Sequence, residues 1–64
     1  MIQEWQVQRA GLNGDRWQTV CRGQEPQART VFQKQLTLSS IGRFRLVRPD
    51  GSVAAQENAK PLFA

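Results

Sequence analysis

The stretch "GRFRLVRPDGSVAAQ", residues 42 to 56, places Arg43, Arg45 and Arg48 just ahead of a turn. Guanidinium groups at alternate strand positions suit one kind of chemistry, the holding of phosphate or carboxylate through planar, charge-assisted hydrogen bonds. The same spacing also suits the wet side of a hairpin, where alternate arginines keep the strand in solution and protect its edge. Either way the chemistry is binding and not bond-making.

The rest of the chain carries little that would catalyse. There is no histidine, so the side chain that most often moves protons near neutral pH is missing, and with it the Ser/His and Cys/His nucleophile arrangements. Asp15 and Asp50 fall in turn-forming stretches, Glu25 at a helix start, and Glu4 and Glu57 near strand ends. Cys21 stands beside Arg22, which favours a thiolate, but a small residue on an apolar strand position packs more readily than it reacts. One cysteine without histidine offers no set of ligands for zinc, and "GLNGD" lacks the lysine and helix onset of a phosphate-binding loop. The expectation is a protein that is not an enzyme and takes no cofactor, metal or small-molecule substrate.

The elements that would position the arginines follow from periodicity. Residues 4 to 9, "EWQVQR", alternate polar and apolar, and "RWQTVCR", residues 16 to 22, follows a Gly/Asn/Asp cluster suited to a hairpin loop. A loop over residues 11 to 15 sets Trp5 opposite Cys21 and Val7 opposite Thr19, with Trp17 on that same core side. A two-residue Asn13–Gly14 loop shifts the register by one and brings Val20 to the core instead.

Ala28, Val31, Phe32 and Leu36 then recur at three- and four-residue intervals, the stripe of an amphipathic helix from Glu25 to about Ser39. Pro26 fits its first turn, Glu25 complements the dipole, and Gly42 offers a left-handed stop. "RPDGS" closes a second hairpin, residues 43 to 48 with 52 to 57, pairing Val47 with Val53, Arg45 with Ala55 and Arg43 with Glu57. Phe44, Leu46 and Ala54 fall on the opposite side, toward the helix.

The resulting architecture is α+β: a small two-layer ββαββ domain over residues 1 to 60, with a four-stranded antiparallel sheet from two hairpins and one helix on one face. Residues 61 to 64 form a short apolar tail bearing Leu62 and Phe63. At 64 residues the chain buries little surface and has no disulfide to help it, which favours association.

Nine basic against five acidic residues give a net charge of +4, and every base except Lys34 and Lys60 is arginine. That balance favours acidic partners, although the charge is spread over the whole chain. The start "MIQEWQVQRAG" shows no signal-peptide pattern, and no run of about 18 apolar residues offers a membrane span, so a cytoplasmic location is expected.

Two functions follow. The first is protein–protein interaction, as a homodimer or adaptor, through an outer sheet face and tail made of Val47, Val53, Ala55, Leu62 and Phe63. The second is weak, sequence-tolerant nucleic-acid binding through a basic face of Arg43 and Arg45, joined by Arg9 and Arg22 from adjoining strands. The second is handicapped by the absence of an aromatic between the arginines, since Trp5, Trp17 and Phe44 are all assigned to the core.

Overall fold

The computed structural model describes residues 4–11 and 16–60, and it has the expected ββαββ order. Strand β1 (Trp5–Ala10) and strand β2 (Gln18–Gly23) precede helix α1 (Glu25–Leu38), and β3 (Arg43–Val47) and β4 (Val53–Asn58) follow it. The four strands form one antiparallel sheet in the order β2-β1-β3-β4, so the two hairpins meet through β1 and β3. No helix among the described residues is long and apolar enough to cross a membrane.

The helix covers one sheet face. Ala28, Phe32 and Leu36, four residues apart, are its buried stripe, and they meet Val7 from β1 and Phe44 and Leu46 from β3 in one cluster. Trp5, Cys21, Val31, Ala54, Ala55 and Ala59 pack around that cluster, half-buried. At the first turn Pro26 needs no N–H partner, and Glu25 accepts a hydrogen bond from Arg29 Nε at 2.8 Å.

The helix ends without glycine. Ser39, in extended backbone, donates its N–H to the Gln35 carbonyl at 3.1 Å. Gly42, expected as the stop, lies further on and turns the chain into β3 at φ +128°, a conformation that side chains other than glycine rarely adopt. The chain after β4 closes the same end, with Lys60 N–H on the Leu36 carbonyl at 2.7 Å and Ala59 N–H on that of Gly42 at 2.8 Å.

Each hairpin contains one extra residue that neither expected register allowed for. In the first, Val7 pairs with Cys21 but Gln8 with Thr19, leaving Val20 as the extra residue of a bulge. Trp5 therefore faces Gly23, not Cys21, and Val20 is 45% exposed instead of joining the core. The loop at Asn13 and Gly14 lies outside the described residues.

In the second hairpin Val47 does pair with Val53, but Ala54 is extra, so Leu46 pairs with Ala55, Arg45 with Gln56 and Arg43 with Asn58. Ala55 is thereby moved from the arginine side to the helix side. Glu57 stands opposite Phe44 and bonds Lys60 rather than Arg43.

The turn between β3 and β4 matches its sequence signals. Gly51 N–H donates to the Arg48 carbonyl at 2.9 Å and Gly51 takes φ +93°. The Asp50 carboxylate accepts from the Ser52 hydroxyl at 2.6 Å and the Ser52 N–H at 2.9 Å. Those two bonds, with Arg48 nearby, hold its pKa below the ordinary aspartate value.

Two consequences can be measured. Phe44 is wholly buried between helix and sheet, so Phe44→Ala is expected to cost about 3–5 kcal/mol in urea unfolding. A domain of this length has only about 3–10 kcal/mol in total, so the urea midpoint should fall by a large part of its wild-type value. Asp50, with its depressed pKa, supports the turn fully above the unfolded aspartate value of about 3.9 and loses that support as pH falls through its lower folded value. The protection factor of the Ser52 amide, its exchange rate relative to the intrinsic rate at each pH, should therefore fall in that acid range, and Asp50→Asn should remove the pH step.

Candidate functional site

The face without a helix is set by the strand pairing. Directly paired residues share a face, so Gln6, Gln8 and Ala10 of β1 stand beside Val47, Arg45 and Arg43 of β3. From the edges come Arg22 and Thr19 of β2 and Val53, Gln56 and Asn58 of β4. None of these strand residues is acidic.

Trp17, just before β2, belongs to this face and not to the core. The guanidinium of Arg45 lies over its ring, 4.3 Å from the centroid, and that of Arg43 lies 5.2 Å away. The attraction of a cation for the ring's electron-rich face holds indole and guanidinium together. The bulge at Val20 is the cause: one extra residue reverses the inward and outward sense of the chain on its far side, so Thr19 moves to the open face and Trp17 with it.

A line of hydrogen bonds anchors the arginines. Arg45 Nε donates to Gln8 Oε1 at 2.6 Å, Gln8 Nε2 donates to Gln6 Oε1 at 2.9 Å, and the Thr19 hydroxyl donates to the same Gln6 oxygen at 3.1 Å. Arg43 Nε donates to the Gly11 carbonyl at 3.0 Å. In both arginines the anchoring bond uses Nε. Among the described residues the terminal nitrogens of Arg43 and Arg45 make no hydrogen bond and neither side chain meets a carboxylate, because the ion pairs there are Glu25–Arg29 and Glu57–Lys60.

Of the four arginines assigned to a basic face, Arg43, Arg45 and Arg22 do share this side of the sheet. Arg9 does not: it pairs with Phe44 on the helix side, and with Arg16 and Gln18 it borders a separate half-open cleft of about 370 Å³ at the hairpin end.

The apolar interface residues fare differently. Val47 is 7% exposed, so it is buried within the monomer; Ala55 packs toward the helix; and Val53 alone, 41% exposed, remains an accessible apolar position. Leu62 and Phe63 lie outside the described residues. Trp5 does take its core role, half-buried against the cluster with Arg29 at 5.4 Å from its ring, and Cys21 is half-buried beside it.

Periodicity alone missed the aromatic of this face. The usable signal was the Asn13–Gly14 pair, whose two-residue loop puts Thr19 opposite Gln8, as observed. The chain matches no protein-family model, no curated protein and no solved structure.

Proposed function

We propose that this protein is a non-enzymatic, cytoplasmic module that binds nucleic acid, without sequence preference, through the open sheet face. The reading is supported above all by the stacking of Arg45 and Arg43 on Trp17, which gathers positive charge and an aromatic surface on a face whose described strand residues include no acid. Arginine forks whose terminal nitrogens have no partner among the described residues match the oxygens of a phosphate, and Arg22 extends the charge to the β2 edge. Uncharged Gln56 and Asn58 add hydrogen-bonding groups that do not repel a polyanion. Sequence tolerance follows because contacts to phosphate carry no base information.

The test is salt-dependent binding. Affinity for labelled oligonucleotides, followed by anisotropy, should fall steeply with added salt, with a slope reduced by about 0.7–0.9 for each phosphate that a variant no longer neutralises. The Arg43→Ala/Arg45→Ala variant should bind more weakly and with a flatter slope; unchanged binding would remove these arginines from the role.

A second reading, contact between two copies of the chain, is favoured by a different observation. Leu38 and Ile41, 77% and 58% exposed, lie past the buried stripe at the C-terminal end of the helix. Light scattering is then expected to give a dimeric mass that Leu38→Glu converts to a monomer. A monomeric wild-type chain at high concentration would retire this reading.

A further inference from the structure

We infer that the ligand of the open face is a single strand of nucleic acid, with Trp17 stacking on a base while Arg43 and Arg45 hold neighbouring phosphates. The inference rests on the nucleic-acid reading above and narrows it to one class of ligand.

The width of the sheet argues against a duplex. Three spacings of about 4.8 Å put the outer strands about 14 Å apart before side chains are added. The major groove is about 12 Å wide and admits a helix or a two-stranded ribbon, so this face cannot enter it. Against a duplex it would touch backbone alone, and the indole would have nothing to stack on.

A single strand uses every part of the face. Its bases can turn outward, and an aromatic ring on an open sheet is a platform for them. Trp17 is half-buried and not sealed in the core, and the two guanidiniums already fix its position. Anchoring through Gln8 and Gly11 means the stacking surface exists before a ligand arrives, which reduces the ordering cost of binding. A phosphorylated peptide would engage the arginines through its phosphate but offers no nucleobase to stack on the indole.

The experiment compares three labelled probes of about 16 nucleotides: oligothymidylate, an abasic strand with the same number of phosphates, and a duplex. Oligothymidylate is expected to bind about 5- to 150-fold more tightly than the abasic strand. It should also quench tryptophan emission, and the quench should survive in Trp5→Phe. Trp17→Ala should lose this preference and Trp17→Phe keep part of it, with oligouridylate separating RNA from DNA as the preferred strand.

Equal binding of the base-bearing and abasic strands, or preference for the duplex, would overturn the stacking role while leaving phosphate binding intact. Failure of all three probes to bind would overturn the nucleic-acid reading itself. Because the abasic comparison alters the ligand and not the protein, it holds even where a tryptophan variant folds poorly.

Discussion

A four-stranded sheet has two faces, and the described residues supply a single helix to cover them. Val7, Phe44 and Leu46 are sealed by Ala28, Phe32 and Leu36, so the apolar stripe of the helix is used up on one side. The other side must be made compatible with water by side chains of the sheet itself. Ala10 and Val47 nevertheless reach 3% and 7% exposure there, without any helix above them. Arginine suits such a place because its stem covers apolar surface while its planar head keeps its charge and can lie flat on a ring.

That constraint explains why the cluster is both structural and available for binding. Each guanidinium commits one nitrogen to the fold, through Gln8 or Gly11, and one face to Trp17. The remaining donors point to no partner among the described residues. The group therefore resembles a small second layer with hydrogen-bonding capacity to spare, and its polar neighbours Thr19, Gln6 and Gln8 are linked in a line that ends on the Arg45 guanidinium.

The composition of the face also limits its chemistry. Arginine stays protonated throughout the physiological range, and amides and hydroxyls do not titrate there. Such a surface answers to ionic strength much more than to pH. Asp50, the carboxylate whose pKa is lowered, lies in the β3–β4 turn and serves the hairpin.

Local patterns in the amino-acid sequence were enough to determine the elements. The four-residue spacing of Ala28, Phe32 and Leu36 marked α1, alternation marked β1 and β3, and "RPDG" marked the second turn with its left-handed Gly51. These signals act over a few residues, where periodicity and backbone preference suffice. Which residues share a face was decided by tertiary structure. The extra residues Val20 and Ala54 each reverse the inward and outward sense of a strand, which sends Trp17 out to the arginines and Ala55 in toward the helix. A bulge of one residue depends on how two strands twist and pair across the whole sheet, and it leaves no distinctive residue type behind. The chemistry of Arg43 and Arg45 was written in the sequence; the indole they hold was supplied by the fold.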